Sequence, residues 1–174
     1  MRALVLVEPG RIELQNRPDP EPGPGEVLLK VEATTLCGTD LRIISGAKTA
    51  GVRQGVIMGH EIAGRVAALG DGVTGYEVGQ QAAPSIVISC NHCRVCLLGL
   101  EHLCENLQLI GYAIDGGLAD YCLIPAPAVA QGNLVTTRTR VKPTHLALAE
   151  PLSCCINALN QYRVQPGDVV AILG

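Results

Sequence analysis

Residues 90–104 read CNHCRVCLLGLEHLC, which places cysteines at 90, 93, 96 and 104 in the spacing C-x2-C-x2-C-x7-C. Thiols three residues apart in a loop can converge on one centre, and a fourth further along closes a tetrahedron. Zinc accepts four sulfurs with no directional demand from d-electrons, and four protein ligands leave no open position. Cys90, Cys93, Cys96 and Cys104 therefore read as a structural zinc site. Two disulfides would need an oxidising compartment that nothing in the sequence indicates. A ferredoxin-type iron–sulfur run would end in Cys-Pro, whereas Glu105 follows Cys104. A redox Cys-x-x-Cys would need a thioredoxin-like context, and three evenly spaced cysteines are one too many. His92 and His102 fall inside the stretch and read as solvated loop residues.

Outward from this lobe, the 174 residues are 48% hydrophobic and only 17% charged, a composition that excludes intrinsic disorder. Phe and Trp are absent and four Tyr are the only aromatics, so the core must be aliphatic and base-stacking platforms are excluded. The net charge is −3, and the one local basic cluster is Arg138, Arg140 and Lys142. Neither nucleic acid nor an anionic membrane is indicated as a partner. Ala3–Val7 is too short for a signal-peptide core, and no run reaches bilayer-spanning length. The eight cysteines accordingly read as the reduced thiols of a cytoplasmic protein.

The order of elements is many short strands, then one helix, then one apolar run. Arg2–Val7 and Arg11–Asn16 flank Glu8-Pro9-Gly10 as a hairpin. The proline-rich segment 16–25 is a loop, and from Val27 apolar and polar residues alternate as in a half-buried strand. Residues 37–46 fit one or two helical turns. A strand over 60–69 closes at the turn Gly70-Asp71-Gly72-Val73-Thr74-Gly75, and residues 119–125 read as another strand. Leu152, Cys155, Ile156, Leu159 and Tyr162 recur at helical spacing, with Pro151 suited to the first helical position. Cys122, Cys154 and Cys155 match no ligand role and read as packing residues. After Pro166-Gly167-Asp168, the run Val169–Gly174 reads as a buried strand that lacks its crossover helix.

A second constellation is Cys37-Gly38-Thr39-Asp40, Gly59-His60-Glu61 and Glu150. One sulfur, one nitrogen and a carboxylate, with a fourth position open, is the arrangement of catalytic zinc. A lone Cys is more often a small hydrophobe, and a lone His more often a hydrogen-bonded core residue. Adjacent strand residues also point to opposite faces, so His60 and Glu61 should not both ligate unless the chain bends there. Otherwise Glu150 supplies the carboxylate.

As a set these residues resemble the zinc-dependent medium-chain dehydrogenase/reductase family. The resemblance also rests on the four-cysteine lobe, Gly116-Gly117-Leu118-Ala119-Asp120-Tyr121, Glu150-Pro151-Leu152-Ser153 and the turn leading into Val169–Gly174. It implies a mainly β fold, a GroES-like partly open β-barrel over 1–146 with a zinc-stapled lobe at 90–104. Residues 147–174 would be a linker helix and the first strand of a truncated Rossmann domain, with Gly174 the first glycine of the cofactor loop.

The implied reaction interconverts an alcohol or polyol and a carbonyl, with hydride passing to NAD or NADP. Cys37, His60 and either Glu61 or Glu150 would hold the catalytic zinc, and Thr39 would start a proton relay. Many members carry a relay His where this chain has Arg42, which stays protonated and could only orient phosphate or substrate. The family's common Gly-Asp-Arg-Val is here Gly79-Gln80-Gln81-Ala82, a loss of a charge pair expected to matter for structure. The resemblance further implies a homo-oligomer when full length, and a chain that is inactive alone because it lacks a nicotinamide pocket. The alternatives are a single-zinc reductase of the same family and a non-catalytic zinc-stapled binding or assembly domain.

Overall fold

The computed structural model describes residues 1–162 and 164–173. β1 (Arg2–Glu8) and β2 (Arg11–Asn16) form the expected antiparallel hairpin. β3 (Val27–Thr35) follows the proline-rich loop and leads into the short helix α1 (Gly38–Ile44). β4 (Glu61–Leu69) pairs along all of β3, and β5 (Gln81–Pro84) adds to the other side of β4. β6 (Val87–Ile88) enters the cysteine lobe, which contains α2 (Arg94–Leu97) and a 3-10 turn (Glu101–Leu103). β7 (Gln108–Leu109) leaves the lobe antiparallel to β6. Then come β8 (Tyr121–Ile124), α3 (Ala126–Ala130), β9 (Leu134–Thr136), α4 (Pro143–Leu146) and α5 (Ala149–Tyr162).

The five-stranded antiparallel sheet runs β8-β3-β4-β5-β9. The hairpin joins it through bridges at Ala3 opposite Ala119 and Val5 opposite Ile57. This is the mainly β architecture expected, with β8 and β9 left as sheet edges. Its core is aliphatic, built on Val27, Leu29, Ile62, Val66, Ile110 and Ile124. The alternation along β3 holds only in its second half. Leu28 is buried with Val27 and Leu29, so both faces are covered at that end. Gln81 is buried in β5, where its Nε2 donates to Val141 O at 2.7 Å and its Oε1 accepts from Val141 N at 3.0 Å. The residue at the departed charge-pair position is thus a clamp on the segment entering α4.

Three expectations are corrected at the C-terminal side. Residues 169–173 form no strand; they are irregular and exposed, because no described strand pairs with them to satisfy their backbone. Gly174, expected to bind the cofactor, lies outside the described residues. Pro151 does not open its helix: α5 starts at Ala149, so Glu150 and Pro151 both lie in its first turn, where the missing proline N–H breaks no intrahelical bond. Cys154 and Cys155 are exposed rather than packed, whereas Cys122 is buried. No described helix is long and apolar enough to cross a membrane.

Candidate metal centre

Cys37 caps α1 with an extended backbone, φ −87° and ψ 154°, which directs the chain from β3 into the helix. His60 immediately precedes β4, and Glu61 is its first residue. The bend that brings both to one place is Gly59, at φ +90°, a conformation costly for any side chain with a Cβ. Gly117 N donates to Gly59 O at 2.9 Å, and a side chain at Gly116 would overlap that same carbonyl. The glycine pair therefore backs the bend. The objection that adjacent strand residues diverge does not apply, since His60 lies outside the regular strand. One donor atom each from Cys37, His60 and Glu61 lie within 4.8 Å of one another.

Neighbouring side chains orient this set. Asp40 is fully buried; its Oδ2 accepts the Cys37 N–H at 2.9 Å, and its Oδ1 lies 3.3 Å from His60 Nδ1. That second approach is an ion-pair distance without hydrogen-bond alignment, and it leaves both atoms unsatisfied. Thr35 donates its hydroxyl to Glu61 Oε2. The Tyr112 ring lies 5.2 Å from the His60 ring at 50°, with Lys48 Nζ 5.7 Å from the tyrosine centroid. Sequence reasoning gives no role to Thr35, Asp40 or Tyr112. The Asp40 position, three residues after the cap, is a legible capping signal. Tyr112 reaches the site from a loop distant in sequence and leaves no signal.

Burial opposes a charged His60, but Asp40 and Cys37 outweigh it and lift the ring to about 9. Burial also opposes a charged Cys37; the Thr39 backbone N–H and His60 outweigh it and lower the thiol. Burial pushes the Tyr112 hydroxyl up to about 12. A thiolate-prone sulfur, an imidazole and a carboxylate, with two unsatisfied buried polar atoms behind them, form a donor set that suits zinc.

Glu150 is not among the donors that lie within 4.8 Å of one another. Burial raises its carboxyl, His60 opposes that rise, and Glu61 adds to it. Thr39 lies in the first turn of α1, two residues after Cys37, where its backbone N–H favours the Cys37 thiolate. Arg42 is exposed on α1. In the lobe, the sulfurs of Cys90, Cys93, Cys96 and Cys104 lie within 4.8 Å of one another. Cys93 Sγ to Cys96 Sγ is 3.3 Å and Cys90 Sγ to Cys96 Sγ is 4.0 Å. A tetrahedron of Zn–S bonds of about 2.3 Å has edges of about 3.8 Å, so the lobe is sized for the ion. All eight cysteines are free, which leaves the disulfide reading without support. Backbone N–H groups of Cys90 and Asn106 point at Cys104 Sγ, at 3.2 and 3.3 Å, as they would at a thiolate. His92 and His102 are exposed.

A GroES-like barrel carrying one three-donor set at a strand–helix junction and one four-thiol lobe defines the class of zinc-dependent medium-chain dehydrogenases/reductases. The family model "Alcohol dehydrogenase GroES-like domain" matches residues 23–133, and the chain belongs to this family. It is 46% identical over 173 residues to the L-threonine 3-dehydrogenase of Stenotrophomonas maltophilia (strain K279a), covering 98% of this chain and 49% of that protein. Among solved structures, a protein described as a short chain alcohol dehydrogenase from E. coli CFT073, complexed with NADH, superposes with a TM-score of 0.86 at 28% identity. That match covers 97% of this chain and 48% of the other. A Sinorhizobium meliloti 1021 protein assigned as a zinc-binding dehydrogenase, bound to NADP, gives 0.85 at 35% identity, covering 92% and 45%. The chain thus spans about half the length of the curated relative.

Proposed function

We propose that this chain is the catalytic-domain part, residues 1–146 with the linker helix that follows, of a zinc-dependent dehydrogenase. It would interconvert a small alcohol or polyol and a carbonyl by hydride exchange with NAD or NADP. The observation that carries this reading is the convergence of Cys37, His60 and Glu61. Cys37, His60 and Glu61 would hold the catalytic zinc, and the four lobe cysteines the structural one. A bound zinc ion supplies positive charge that makes a nearby hydroxyl more acidic.

The chain's own residues do the rest. Thr35 holds Glu61 by a hydrogen bond, and the buried Asp40 carboxylate stands 3.3 Å from His60 Nδ1, where its charge favours the ring turned toward it. Thr39 Oγ1 would accept a hydrogen bond from the substrate hydroxyl and, as it takes that proton, release its own hydroxyl proton to solvent water. Arg42, permanently charged, cannot carry that proton and is left to orient an anionic group. Cysteines kept reduced fit a cytoplasmic setting, and the exposed apolar stripe Leu152, Ile156 and Leu159 on α5 fits assembly with further protein.

Metal analysis of the purified chain tests the reading. Two zinc ions per chain are expected, with Cys37→Ser and Cys96→Ser each removing one. One ion in the wild-type chain, lost with Cys96→Ser, would point to a barrel with a structural site alone. No bound zinc would refute the proposal.

A further inference from the structure

Arg65, Arg138 and Arg140 line one cavity of about 560 Å³ together with Glu32, Gln80 and Thr139, beside the row where Arg65 of β4 pairs with Gln81 of β5. Arg65 is fixed on its strand. Its Nε donates to Glu32 Oε1 at 2.9 Å and its Nη1 to Gly79 O at 3.0 Å, which leaves Nη2 without a partner among the described residues. Arg138 and Arg140 stand on a short arch, residues 138–140, whose two ends are tied to one residue. Thr137 N donates to Gln81 O at 3.0 Å, and beyond the arch the Gln81 side chain exchanges two hydrogen bonds with the Val141 backbone, at 2.7 and 3.0 Å. Gln81 is only 5% exposed, so these bonds are shielded from competing water.

Both arch arginines are exposed, and neither has an ion-pair partner among the described residues. In a chain of net charge −3, this wall carries three guanidiniums and one carboxylate, which leaves two positive charges uncompensated. Like charges gathered on one wall repel, and an anion placed among them removes that repulsion. The bland alternative is a solvated loop whose charges are neighbours by chance. Such a loop needs no buried glutamine pinning both its ends.

We propose that this cavity binds a phosphate dianion, as free inorganic phosphate or as the monoester of a small organic molecule. Guanidinium forks match phosphate oxygens in pairs, and a dianion equals the surplus charge of the wall. The volume lies in the range of small-molecule sites, so a monoester has room for its organic part. The site shares no residue with the three-donor set, and its test does not depend on zinc.

NMR of the isotope-labelled whole chain reads this out, in titrations with inorganic phosphate and with glycerol 3-phosphate at constant ionic strength and a mildly alkaline pH, where both are dianions. Saturable shifts are expected at residues 137–141 and at the Arg65 Nε–H, with none from glycerol or chloride. Arg138→Gln and Arg140→Gln change exposed side chains and leave the fold intact. Each should weaken binding about tenfold, the scale of one hydrogen bond to a charged group. Gln81→Leu retains all three arginines but unties the Val141 end, and should also weaken binding, whereas a loose cluster of charges would bind as before. If that variant fails to fold, the two arginine variants decide the matter without it. Glycerol 3-phosphate bound more tightly than inorganic phosphate assigns the site to a monoester, and the reverse or equality assigns it to free phosphate. No saturable shift with either probe, equal shifts with chloride, or affinity unchanged when both arch arginines are replaced would overturn the proposal, as would unchanged affinity in folded Gln81→Leu.

Discussion

Gly59→Ala tests the bend on which the donor set depends, and its cost can be worked from two separate terms. The first is conformational. Gly59 has φ +90°, and forcing an L residue into that region costs about 1–2 kcal/mol. The second is steric. A Cβ built on Gly59 would sit 2.6 Å from Leu118 Cγ and 2.9 Å from Leu118 N. The leucine side chain can move, but the backbone nitrogen is held by its bond to Met58 O at 2.8 Å. Overpacking of this kind adds about 1–3 kcal/mol. The sum is about 2–5 kcal/mol, a large share of the stability of about 5–15 kcal/mol that a domain usually has.

Gly10→Ala is the control. Gly10 has φ +84°, but a methyl group added there would meet nothing within 4 Å, so only the first term applies. Urea unfolding should show Gly59→Ala losing about 1–3 kcal/mol more than Gly10→Ala, the size of the steric term. Adding Leu118→Ala should recover part of that difference and not all, because the backbone contact stays. Equal losses at the two glycines would refute the argument, since they would show that the bend is not held by Leu118.

Four further outcomes follow from other parts of the molecule. Cys96→Ser should lower the metal content by one ion and abolish amide-exchange protection across the lobe, while β3 and β4 stay protected; the lobe's buried cluster consists of little besides its cysteines. Asp40→Asn should weaken metal at the three-donor site about 10- to 100-fold, measured by chelator competition, because it removes the charge that orients His60. Gln81→Leu strands both Val141 backbone groups and should cost about 1–3 kcal/mol in urea unfolding. Asp120, which hydrogen-bonds Arg2, is held at about 2 against an ordinary 3.8. A depressed carboxylate contributes stability above its ordinary value and loses it as pH falls through the lowered one, so Asp120→Asn should flatten the acid limb between about pH 4 and 2, followed by thermal unfolding.

The lobe is legible in the sequence because its information is local. Four ligands of one type within fifteen residues need only a loop to meet, so the spacing of Cys90, Cys93, Cys96 and Cys104 carries the geometry with it. The hairpin, β3, β4 and the helix at 149–162 are legible for a similar reason, through periods of two and of 3.6. The terminal run 169–173 misleads, because hydrophobicity proposes a strand but pairing makes one.

By itself, then, the sequence determined the family, the four-thiol lobe and the residue types of the second centre. Only the tertiary structure decided which carboxylate stands with Cys37 and His60. That choice depends on a glycine bend at Gly59, backed by Gly116 and Gly117, and on Thr35 holding Glu61. Periodicity describes the direction of side chains along one element. It is silent where an element begins, and at that junction backbone torsion and contacts from distant loops set the direction of each donor.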